Sequence, residues 1–208
     1  MQTRSYLLRL EYDQVARSYV ITAASPIDNT SQSPISFSMA TPSMSVHERE
    51  AVLTAVKQDG RVLWDAPEEL QSDREVVMAA VNQNPWILVY VSKELQSDRE
   101  IVMTAVRKDG MILEYVSKEL PWDREVVLAA VQSAGYALEY APKELQSDHE
   151  VVMAAVNQNG FALRYASEEL KADRKIVLAA VKRDRHALKH ASDELHWDRE
   201  ILLASKST

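Results

Sequence analysis

Carboxylates and guanidiniums recur along this chain in one order, as in Asp73-Arg74-Glu75, Asp98-Arg99-Glu100, Asp123-Arg124-Glu125 and Asp198-Arg199-Glu200. Two acids isolated in a cleft, with pKa values pushed apart, could serve as general acid and base. Here each acid pair carries its own arginine. Arg74, Arg99, Arg124 and Arg174 therefore read as ion-pair partners of acids in the same or an adjacent segment, for instance Glu94 or Glu119. Metal ligation is the second chemistry to weigh, because His186 and His190 stand four apart, a spacing that can reach one ion. Both fill slots held elsewhere by aromatic residues, and no H-E-x-x-H pattern appears. The four glycines lie 25 or 50 residues apart, so none builds a phosphate-cradling loop. No catalytic residue, metal or cofactor is expected, and the chain reads as a non-enzyme.

The elements that carry these residues follow a 25-residue rhythm. Residues 48–197 make six copies without an insertion or deletion, with Asp73, Asp98, Asp123, Asp148, Asp173 and Asp198 each opening a copy. A fixed period of this size marks a stacked repeat array, whose units cannot bury their apolar faces alone. In the copy 123–147, Val126 to Val131 form an apolar block behind Asp123, an N-cap type, and Glu125, which suits the positive end of a helix dipole. The block is helix A, about ten residues long. Position 12 (Asp59, Asn84, Asp109, Ala134, Asn159, Asp184) is an N-cap type in five copies of six. Position 13 is glycine except at Pro85 and Arg185. Proline belongs in the first turn of a helix and cannot hold a left-handed conformation, so Asn84-Pro85 opens helix B at about 85–91. A short turn ending in Glu-Leu closes the copy.

The expected fold is therefore an all-α solenoid of six two-helix repeats plus a partial seventh. Three domains are expected: 1–24, of uncertain structure; a Ser/Thr/Pro-rich linker, 25–47; and the array, 48–208. In the first segment Leu8, Tyr12, Val15 and Tyr19 fit a helix, while Leu8, Leu10 and Tyr12 alternating with Arg9 and Glu11 fit a strand equally well. DREVVMAAVNQN at 73–84 returns as DHEVVMAAVNQN at 148–159, so the array grew by duplicating a three-copy block. Thr208 falls inside helix A of the seventh copy; the last four residues either improvise a cap or continue into a longer array.

Charge and composition narrow the function classes. Net charge is −7 and the six copies carry −3, −1, −1, −2, −2 and +2, so the copy 173–197 is the basic one. That balance disfavours indiscriminate nucleic-acid or anionic-membrane binding. There is no cysteine, no apolar run long enough for a membrane span and no apolar signal core, so a cytoplasmic location is the default expectation.

DREVVLAAV (123–131), GYALEYA (135–141) and KEL (143–145) resemble the tandem repeat known as domain of unknown function 4116. The resemblance covers 48–204. It implies an α-helical repeat and brings no active-site residues, since the family's function is not established.

Residues constant from copy to copy serve the repeat itself. Tyr90, Tyr115, Tyr140 and Tyr165 form a ladder at position 18, either as core-edge rings or as an aromatic track. Positions 14, 17 and 21 vary and are expected on one face of helix B. They supply the candidate binding residues: Trp64, Trp86, Met111, Tyr136, Phe161, Arg164 and His186. Large aromatics and charges on such a face suit a protein or an extended peptide as partner. The alternative is a recruiting or spacer array belonging to an enzyme whose catalytic domain lies outside this chain.

Overall fold

Asp73 shows how each copy begins. Its carboxylate accepts from the backbone N–H groups of Glu75 (2.9 Å) and Val76 (3.1 Å), so a helix starts at Arg74 and runs ten residues to Gln83. Two of the orphan donors of a helix N-terminus are thereby satisfied. Asp98, Asp148, Asp173 and Asp198 repeat the same pair of bonds.

The computed structural model describes residues 7–13, 18–24, 35–36, 46–116 and 123–207. Expectations for Lys118, Glu119 and most of the Ser/Thr/Pro-rich stretch lie outside them. From 46 onward every described element is helical, and the repeat region is an all-α solenoid of tandem copies. No helix among the described residues is long and apolar enough to cross a membrane. The chain forms two compact units, 1–92 and 93–208.

In the first unit β1 (Leu7–Asp13) pairs antiparallel with β2 (Ser18–Ala24), and β3 (Ile35–Ser36) pairs with β2. Of the two readings of Leu8, Leu10 and Tyr12, the chain takes the strand. The helices that follow are α1 (Val46–Gln58), α2 (Glu68–Gln71) and α3 (Arg74–Gln83), with 3₁₀ helices at Gly60–Asp65 and Pro85–Tyr90. The second unit holds α4 (Lys93–Gln96), α5 (Arg99–Lys108), α6 (Arg124–Ser133), α7 (Lys143–Gln146) and α8 (His149–Gln158). It continues with α9 (Glu168–Lys171), α10 (Arg174–Arg183) and α11 (Arg199–Ser207). Its 3₁₀ helices are Gly110–Tyr115, Gly135–Tyr140, Gly160–Tyr165, Arg185–His190 and Asp193–Trp197.

Helix B thus occupies its expected place but is a 3₁₀ helix, and the closing turn is itself a turn of helix. One extended residue joins A to B. Asn84 (φ −136°) donates its N–H to the Ala80 carbonyl at 2.8 Å, while its side chain accepts from the Trp86 N–H at 3.1 Å. Pro85 follows at the first helical position, where its missing N–H costs nothing. Only Ala134 has no side chain able to cap. Ala134→Asp is expected to stabilise the protein by about 1 kcal/mol, read by urea titration.

The core is built by four positions of helix A and two of helix B. Val76, Val77, Ala80 and Val81 are fully buried, and so are Ile87 and Leu88; the pattern recurs in Val151, Val152, Ala155, Val156, Ala162 and Leu163. The expected burial of Val76, Ala80 and Leu88 is what the structure shows. Helix A is apolar on several sides because helices of neighbouring copies pack on it: α5, α6, α8, α10 and α11 touch in sequence in the second unit. Position-13 glycine is explained by close approach, since none of the four has a left-handed φ. A Cβ on Gly135 would stand 2.5 Å from the Ala155 carbonyl oxygen of the next helix A.

Candidate functional site

Ion pairs join copies at the starts of α3, α6, α8 and α11. Arg124, the first residue of α6, donates to Asp148 (2.9 and 3.0 Å) and to Glu150 (2.7 Å) of the following copy. Arg49 grips Asp73 and Glu75, Arg99 grips Asp123 and Glu125, and Arg174 grips Asp198 and Glu200 in the same way. The N-cap aspartate is therefore used twice, by its own helix and by the arginine one copy earlier. The expected ion pairing is present, with the partners at positions 1 and 3 of the next copy. At α8 the arginine is replaced by His149, 3.9 Å from Asp173, and position 3 of the following copy is Lys175.

The Arg124 guanidinium beside Asp148 holds that carboxyl down at about 2, and the other grips lower Asp73 and Asp198 likewise. A depressed carboxylate contributes stability above the ordinary pKa of about 4 and loses it as pH falls through the folded value. The melting temperature is expected to drop between about pH 4 and pH 2, and Arg124→Gln to shrink that drop. An identical acid profile in both proteins would show that the grip carries no linkage.

The variable positions lie on the 3₁₀ helices. With three residues per turn, positions 14 and 17 eclipse on one face, while positions 15 and 16 turn into the core. Position 21 does not belong to this face. Glu68, Lys93, Lys143 and Glu168 each open the next short helix instead.

Trp64 and Trp86 are 50% and 40% exposed and Tyr136 is 37% exposed. Arg164 and His186 are exposed, whereas Met111 and Phe161 are half-buried. The half-burial has a cause that appears only when copies stack. Position 14 meets position 18 of the next copy edge to face: Tyr136 on Tyr165 (centroids 6.2 Å, 73°) and Phe161 on His190 (5.9 Å, 65°). In the first unit Trp64, at position 17, meets Tyr90 at 5.6 Å. Within each unit, tyrosine-ladder and variable-face residues thus share one surface.

Polar partners reinforce it. The Tyr165 hydroxyl is pushed up to about 12 by burial and by its hydrogen bond to Glu139, and Tyr140 is raised by burial and by Glu114. Arg164 lies over the Tyr165 ring at 5.0 Å, and Lys189 over the Phe161 ring at 4.8 Å. Beneath them the His190 Nε2 is buried with no hydrogen-bond partner. Burial, with Lys189, Arg164 and Lys171 nearby, lowers that ring's pKa. The His190 ring packs edge to face on Phe161. Among the described residues no three His, Asp or Glu side chains gather as metal ligands.

Another surface feature, on the helix A side of the second unit, had no signal in the periodicity. A groove of about 420 Å³ between α5 and α6 is lined by Met103, Leu128, Ala129, Arg107, Glu125 and Gln132.

Five matches to one family profile, the first four overlapping, decide the relationship: residues 48–96, 73–121, 98–146, 123–171 and 173–205. The chain belongs to the family described as Domain of unknown function (DUF4116). The first four matches advance by 25 residues, and each spans about a pair of neighbouring copies. The Arg124–Asp148 grip and the Tyr136–Tyr165 contact both lie within such a pair. No curated protein and no solved structure matches this chain.

Proposed function

We propose that this DUF4116 array works by binding rather than by catalysis, holding a protein or an extended peptide on its 3₁₀ faces. One observation carries the reading. Trp64, Trp86 and Tyr136 stand exposed on helices whose adjacent residues, such as Leu63, Ile87, Leu88, Ala137 and Leu138, are almost wholly buried. A large ring on a rigid base loses little entropy on binding, and aromatic anchors are where interface energy concentrates.

The acids support binding over acid–base catalysis, because Asp73, Asp123, Asp148 and Asp198 are each engaged by an arginine of the preceding copy.

The test is selection of a random peptide library on the immobilised full chain, followed by Kd measurement on the wild type and on Trp86→Ala and Tyr136→Ala. Each variant is expected to weaken its binders by about 2 kcal/mol, roughly 30-fold, with helical signal and melting temperature nearly unchanged. Binders indifferent to both changes would place recognition on the helix A side, near Lys57, Arg107 and Lys182. Failure to enrich any peptide would remove the binding reading.

A further inference from the structure

From Arg164 and Lys189 we infer that the partner of the second unit is an extended acidic segment in the polyproline II conformation, with a carboxylate at every third residue. The inference rests on the binding reading of the 3₁₀ faces and names the chemistry of the occupant.

Three observations carry it. Among the described residues neither Arg164 nor Lys189 makes an ion pair, whereas Lys171 of the same unit pairs with Glu168 at 2.8 Å. Second, each unpaired cation rests on an aromatic face, Arg164 on Tyr165 and Lys189 on Phe161. A stacked cation keeps its N–H groups available and is already placed, so a carboxylate meets it without ordering a free side chain. Third, the two cations occupy the same position of adjacent copies, whose 3₁₀ helices Gly160–Tyr165 and Arg185–His190 touch.

That register sets the spacing of the partner. Packed helices lie about 8–10 Å apart. A polyproline II chain rises about 3.1 Å per residue with three residues per turn, so every third side chain returns to the same face after about 9 Å. A β-strand alternates faces, and its third residue would point away. Residues between the carboxylates then lie against Tyr136 and the Phe161–His190 pair, and ring-lined surfaces of this kind favour polyproline II ligands.

The same face argues against a nucleic acid. Position 17 is acidic in the two preceding copies, at Glu114 and Glu139. An unbroken run of phosphates would be driven onto those carboxylates, whereas a peptide needs only two charges in register.

The experiment measures binding of fluorescein-labelled (Glu-Pro-Pro)₄ to the full chain by anisotropy. Controls are (Gln-Pro-Pro)₄, a peptide of the same composition with its glutamates adjacent, and a 12-mer of polyuridylate. The expected result is that (Glu-Pro-Pro)₄ binds and weakens as salt is raised, and that each control binds about tenfold more weakly or worse. Arg164→Glu and Lys189→Glu should each reduce its affinity about tenfold while the helical signal is kept; Arg164→Gln and Lys189→Gln should give smaller losses in the same direction. Equal binding of the Gln peptide, or indifference to both charge reversals, overturns the acidic partner and leaves the peptide-binding reading standing. Tighter binding of polyuridylate overturns it in favour of a nucleic acid. No binding of (Glu-Pro-Pro)₄ up to millimolar concentration overturns it as well, while the library selection decides the broader reading independently.

Discussion

Leu138→Ala is expected to lower the unfolding free energy by ~2–5 kcal/mol, and Leu203→Ala by a small fraction of that. Leu138 is fully buried in the 3₁₀ helix Gly135–Tyr140, which packs against α6, α8 and its counterparts in both neighbouring copies. Truncation removes transfer energy and leaves a cavity that two adjoining copies cannot close without moving relative to each other. Leu203, in α11, is 56% exposed and loses little of either kind. In a repeat array stability is roughly a sum of local and nearest-neighbour terms, so the same chemical change has a price set by its position. Urea titration of both variants measures the difference; equal losses would contradict the nearest-neighbour account.

Gly135→Val should be nearly as damaging, by overpacking. Its Cβ would meet the Ala155 carbonyl oxygen at 2.5 Å and the Asn159 Cβ at 2.9 Å. The first obstacle is backbone, so no rotamer relieves it and the copies 123–147 and 148–172 must separate. The expected cost is about 1–3 kcal/mol or more. That movement would also pull Tyr136 away from Tyr165 and Arg124 away from Asp148. Arg185 occupies the same repeat position with its side chain exposed, so Arg185→Gly should change stability by well under 1 kcal/mol. A Gly135→Val protein as stable as the wild type would show that the contact can open without loss.

The helix starts, the A–B junction and the core positions were legible in the sequence because each depends on local chemistry. An aspartate three residues before a buried valine caps its helix wherever it occurs, as Asp73 and Asp148 do. Asn84-Pro85 admits one backbone reading, an extended cap followed by a first helical residue, and the chain adopts it. The choice between strand and helix for Leu8, Leu10 and Tyr12 was open in the sequence, since both periods fit, and pairing with β2 closed it.

Contacts between copies were beyond local reading. Periodicity places Tyr165 at a recurring position and Tyr136 at a variable one, but only stacking brings position 14 of one copy against position 18 of the next and so half-buries Phe161. Position-13 glycine showed the same limit: its reason is a carbonyl 20 residues away rather than its own φ. Gln146 is a further case, fully polar yet buried, because its amide donates to the carbonyls of Leu138 and Glu139 at the end of the 3₁₀ helix. By itself the sequence determined the helices, their caps and the register of the stack, since hydrogen bonding and apolar spacing act within a few residues. Which side chains the stack covers, and which cations it leaves on aromatic rings without a carboxylate, only the tertiary structure decided, because those depend on how far one copy is translated and turned against the next.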